Sequence, residues 1–123
     1  MDEKDYAPVG NDPAKAQLLR LSSASLENFR RVDAGFKIDA GLETITSSLI
    51  DAQAGFDELV AYKSPIDISK LREELETALG GFRKARMAAG QDRSESLMQA
   101  RSALASASAT LQALKSDSSR TTP

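Results

Sequence analysis

The acids, bases and nucleophiles available to this 123-residue chain are carboxylates, amines, guanidinium groups and hydroxyls, because it contains neither histidine nor cysteine. That removes the imidazole base of Ser-His and Cys-His catalysis, imidazole and thiolate metal ligands, and the Glu-x-x-His pairs of di-iron bundles. No lysine has a serine three residues before it, so the Ser-x-x-Lys nucleophile is missing. Gly80-Gly81 precedes Phe82-Arg83-Lys84, but two adjacent glycines do not make a phosphate-binding loop, which needs a longer glycine-rich turn ending in Lys-Ser/Thr. No cofactor and no metal are expected.

The remaining carboxylates read as structural. Glu73, Glu74 and Glu76 fall near the start of a helix, where acids complement the macrodipole. Asp33 and Asp39 flank a turn and lack the ligand spacing of a calcium loop. Ser102, Ser106 and Ser108 have no general base to activate them. No catalytic activity is expected, and an enzyme working on carboxylates alone is the third reading.

The basic residues are more suggestive. The formal net charge is −2, from 16 basic and 18 acidic residues, which argues against a general nucleic-acid binder. Yet Arg30, Arg31 and Lys37 near the end of one helix would join Arg83, Lys84, Arg86 and Arg93 if those helices run parallel. One end of the molecule would then be basic and fit an anionic partner. Asp57, Glu58 and the three glutamates would gather at the other end.

These residues must be positioned by helices. Hydrophobic residues make up 41% of the chain but aromatics only 5%, so the core is built from Leu, Ile and Ala, a helix-forming set. Asp12-Pro13, Ser64-Pro65-Ile66-Asp67 and Asp92-Arg93-Ser94-Glu95 are helix-start signals. Gly90 suits the left-handed position that ends the preceding helix. In "VDAGFKIDAGLE" the apolar phase shifts between Phe36 and Ile38, placing a break near residues 35 to 40. The predicted helices cover residues 13–35, 39–62, 65–89 and 93–115, each roughly 35 Å long. Residues 1–11 and 116–123 read as disordered tails around one domain at 12–115.

Apolar residues recur at alternating spacings of three and four, the pattern of coiled-coil and bundle seams. The second helix carries Ile38, Leu42, Ile45, Leu49, Ala52, Phe56 and Leu59. The third carries Ile68, Leu71, Leu75, Ala78, Phe82, Ala85 and Ala89, and the fourth Leu97, Ala100, Leu104, Ala107, Leu111 and Leu114. The first helix is less regular, with Leu18, Leu21, Phe29, Val32 and Phe36 and an interruption at Ser25. The stretch "ARSALASASATLQAL" puts small residues in and beside the fourth seam. Ala103 and Ala107 there either let a neighbouring backbone approach closely or floor a shallow groove for a partner helix. Gly80-Gly81 in mid-helix leaves three readings open: a kink or hinge, a close contact with another chain, or simple tolerance of the glycines.

The resulting expectation is all-α, an up-down-up-down four-helix bundle. The alternative is a long N-terminal helix, unbroken through residues 35 to 40, with a helical hairpin folded on it and dimerising. No motif is specific enough to carry a family resemblance. The leading functional reading is a non-catalytic protein-protein interaction module, such as an adaptor, assembly subunit or secretion-type chaperone, binding another protein or itself as a homodimer. The alternative is a nucleic-acid or anionic-ligand binder using the basic end. An acidic N-terminus and the lack of a long apolar run point to a cytoplasmic protein that does not engage a membrane.

Overall fold

The computed structural model describes residues 13–120, which form four helices and, among these residues, no strand: α1 (Pro13–Lys37), α2 (Leu42–Ala61), α3 (Ser69–Met87) and α4 (Gly90–Arg120). The predicted tail at residues 1–11 and the cap on Asp12 lie outside the described residues. At the other end α4 continues to Arg120, so residues 116–120 are helical where a tail was expected.

A tight turn separates α1 from α2 and excludes the unbroken long helix. Ala40 N donates to Gly35 O and Asp39 N to Phe36 O, the paired bonds of a Schellman cap, with Asp39 in the left-handed conformation at φ 54°. The turn swings Ile38 and Leu42 into solvent, at 76% and 62% exposure. Both were expected in the second seam, which instead begins at Ile45 and runs through Leu49, Ala52 and Leu59.

The start of α3 lies four residues later than expected. Ser64 Oγ accepts from Ile66 N and donates to Ile66 O, so Ser64-Pro65 builds a local turn and does not cap a helix. Asp67 Oδ1 then accepts from both the backbone N (2.9 Å) and the hydroxyl of Ser69, the first helical residue. Those two bonds, the hydroxyl's first, hold the Asp67 carboxyl below its ordinary pKa. Gly90 does adopt a left-handed φ of 59°. It opens α4, however, and the C-cap of α3 is Ala88 in extended conformation. The last carbonyls of α3 are met from α4, where Arg93 Nε donates to Ala85 O and Ala88 O.

Antiparallel hairpins α1–α2 and α3–α4 each pack extensively within themselves and less extensively against each other. They share one core. Leu18, Leu26, Phe29 and Val32 of α1 meet Leu71, Leu75, Phe82, Leu104 and Leu111 of the second hairpin in a single buried cluster. Phe36 and Phe82 stack with ring centroids 6.0 Å apart, and Tyr62 Oη donates to Ala14 O where α2 ends beside the start of α1. Ser22 and Ser25 are also fully buried. Ser22 Oγ donates within its own helix to Leu18 O, whereas Ser25 Oγ has no hydrogen-bond partner among the described residues.

The small residues of α4 serve two purposes. Ala100 and Ala107 are fully buried and let α3 approach, at the position where Gly81 faces Ala100 and the backbone of Ser96. Ala103, Ser102 and Ser106 face the outer groove between α3 and α4.

Candidate interaction surface

The four helices leave open grooves between neighbours. Of these, the α2/α3 groove brings apolar and cationic residues together. Its volume is about 580 Å³, with Leu49, Ile50, Ala54 and Met87 supplying apolar wall, Arg83 and Arg86 supplying positive charge and Asp57 one negative charge. Ile50 is 63% exposed and Met87 78%. Arg86 is held in place: Nη1 donates to Thr46 Oγ1 of α2 at 3.0 Å and Nη2 reaches Met87 Sδ at 3.5 Å. Arg83 is exposed and pairs with no carboxylate among the described residues. The groove therefore presents guanidinium groups beside an exposed apolar strip, a combination suited to an amphipathic segment carrying acids.

The C-terminal turns of α1 and α3 do lie at one end of the molecule. Contacts from Arg86 to Thr46 and from Arg101 to Asp33 fix those levels. The basic end nevertheless divides. Arg30 lies in the α1/α4 groove, donating to Ser108 Oγ at 3.1 Å and lying 3.8 Å from Glu27. Asp33 stands beside it, bound by Lys37 and Arg101, so it ties α1 to α4 and does not cap a turn. That groove and the Arg83/Arg86 groove occupy opposite sides of the bundle, because α1 and α4 border one and α2 and α3 the other. Arg31 and Lys84 are exposed on their helices.

The α3/α4 groove, about 590 Å³, has the opposite charge. Glu73 and Glu74 line it with Thr77, Met98 and Ala103, and Glu74 accepts from Thr110 Oγ1 at 2.6 Å. Met98 is 69% exposed. The two central glycines differ in kind. A Cβ on Gly81 would overlap α4, while one on Gly80 would meet nothing within 4 Å among the described residues. α3 passes through both as one continuous helix, so no hinge is visible there.

Among the described residues no group of three or more acidic, histidine or cysteine side chains could hold a metal ion, and no helix is long and apolar enough to cross a membrane. Ile50, Met87 and Met98 were not singled out from the sequence. The signal was their phase: each is apolar yet one or two positions off its helix's seam. The chain matches no family model, no curated protein and no solved structure.

Proposed function

We propose that this protein is a non-catalytic helical interaction module whose α2/α3 groove receives an acidic amphipathic helix from a protein partner. The observation that supports this reading is the juxtaposition of exposed Ile50 and Met87 with Arg83 and Arg86 in one groove. Apolar side chains of a visiting helix cover the first pair, and its acids pair with the second. Exposed charges set on-rate and selectivity, and the apolar strip supplies most of the affinity.

The test is affinity capture from native lysate with the wild-type protein and an Ile50→Ser/Arg83→Gln variant, followed by mass-spectrometric identification. The reading expects partners that the variant loses, and expects their binding to weaken with added salt. Identical captured sets from both proteins would overturn it.

A further inference from the structure

The cations of the α2/α3 groove are not neutralised within it. Arg83 pairs with no carboxylate among the described residues, and Arg86 donates to the neutral Thr46 hydroxyl and reaches a thioether. Asp57, the acid of the groove, accepts from Gln53 at 2.9 Å. In the α1/α4 groove, by contrast, Arg101 and Lys37 both bind Asp33, and Arg30 bonds Ser108 and lies near Glu27. The α2/α3 groove is also long. Towards the end of the molecule where α1 begins it continues as a hollow of about 350 Å³, walled by Phe56 and Val60 and carrying Arg72, Glu73 and Glu76. Apolar surface therefore runs from Val60 to Ile50 and Met87, with mixed charge at the near end and Arg83 and Arg86 at the far one.

The twelve residues that precede Pro13 carry the complementary order. Residues 6–11 are uncharged and include Tyr6 and Val9; before them stand the acids Asp2, Glu3 and Asp5 with one base, Lys4. Ala7 precedes Pro8, which favours extended backbone. The lengths agree as well. α1 begins beside the end of α2, where Tyr62 bonds Ala14. Arg86 stands at Thr46, 16 residues back from Tyr62, which is about 24 Å of helix. Crossing the end of α2 adds about 10 Å. Extended chain covers about 3.3 Å per residue, so Asp5 reaches the level of Arg83 and Glu3 that of Arg86.

Resting on the reading of this groove as a receptor for an acidic amphipathic segment, we infer that the chain's own residues 2–9 lie along it in extended form. Val9 covers Phe56 and Val60, Tyr6 covers Ile50, and Asp5 and Glu3 pair with Arg83 and Arg86. The uncharged run passes Glu73 and Glu76 without repulsion. Each exposed ion pair contributes little, but a segment tethered at Pro13 presents itself at millimolar effective concentration, so a weak fit suffices for occupancy. A partner's acidic helix must displace this segment, which sets a threshold of affinity for partners.

NMR spectroscopy of the full chain tests this, with Tyr62 as the one other tyrosine to assign. In the wild type the Tyr6 ring should show nuclear Overhauser contacts to the Ile50 and Val60 methyl groups. Arg83→Gln should weaken them about twofold or more, and added salt should weaken them too. Asp5→Lys should release the segment. Combining it with Arg83→Asp should restore the contacts, because the pair is then reversed and not removed. Absence of Tyr6 contacts to α2 in the wild type would overturn the inference, as would contacts to the α1/α4 groove in their place, or contacts indifferent to the charge variants. If Tyr6 makes no such contact while Ile50→Ser/Arg83→Gln still loses lysate partners, the groove reading survives and only its own segment is refuted. If the contacts appear but the captured sets are identical, the segment stands as the occupant and the partner's helix is refuted.

Discussion

A Cβ built on Gly81 lies 2.8 Å from the Cβ of Ala100 and 3.0 Å from the carbonyl oxygen of Ser96. α3 and α4 thus approach at a point where one helix has no side chain and the other has a methyl group. A side chain could be accommodated only by moving backbone, since none of these atoms is the end of a flexible chain.

Gly81→Ala is accordingly expected to destabilise the protein by about 1–3 kcal/mol, despite alanine's better helix propensity. Ala100→Gly should relieve part of that loss. Urea unfolding of both single variants and the double variant checks this: a coupling of about 0.5 kcal/mol or more is expected, and simple additivity would refute the close approach.

Ala103 and Ala107 should respond differently to enlargement. Ala107 is fully buried, so Ala107→Leu is expected to overpack the core by about 1–3 kcal/mol. Ala103 floors an open groove, and Ala103→Leu should change the melting midpoint little. Equal losses would place both residues in the tight helix contact.

Asp39 and Gly90 both have left-handed backbone, but only one is glycine. Asp39→Gly should raise stability by up to about 1 kcal/mol, since its φ suits a residue without a Cβ. Gly90→Ala should lower it by roughly 1–2 kcal/mol. Thermal melts compare the two directly, and a stabilising Gly90→Ala would contradict the turn geometry.

The Asp67 carboxyl titrates below the ordinary aspartate range because it accepts from the Ser69 hydroxyl and backbone. A folded-state pKa below the unfolded one contributes stability that is complete above about pH 4 and is lost as pH falls through the lower folded value. A carboxyl-carbon NMR titration should show this depressed midpoint in the wild type and an upward move in Ser69→Ala. An Asp67 midpoint at the ordinary value would remove the turn from the account.

The seams of the third and fourth helices were legible because Leu71, Leu75, Phe82, Leu104 and Leu111 keep one phase over their whole length. The first two helices were harder to read. Ser22 and Ser25 sit in the core, where hydropathy alone would not place them. Ser22 is compatible with burial because its hydroxyl bonds within its own helix. Ile38 and Leu42 continue an apolar spacing across a turn that reorients them, and the signs of it were the phase shift after Phe36 and the glycines at 35 and 41. Ser64-Pro65 resembles a helix cap, and only the competing turn bonds to Ile66 reveal otherwise. For the site, sequence position gave the level of each arginine along the bundle but not its azimuth. Arg30 and Arg83 therefore share an end without sharing a face.

The unequal packing of the hairpins bears on how the native state opens. Arg93 closes the α3–α4 hairpin by binding carbonyls across its own turn, which joins sequence neighbours, whereas Phe36–Phe82 and Asp33–Arg101 join distant stretches of chain. The α3–α4 hairpin is then the natural slowest-exchanging foldon. Breaking only the long-range ties parts α1–α2 from it before global unfolding. Native-state amide exchange should find two free-energy levels along this chain, with α1 and α2 together on the lower one.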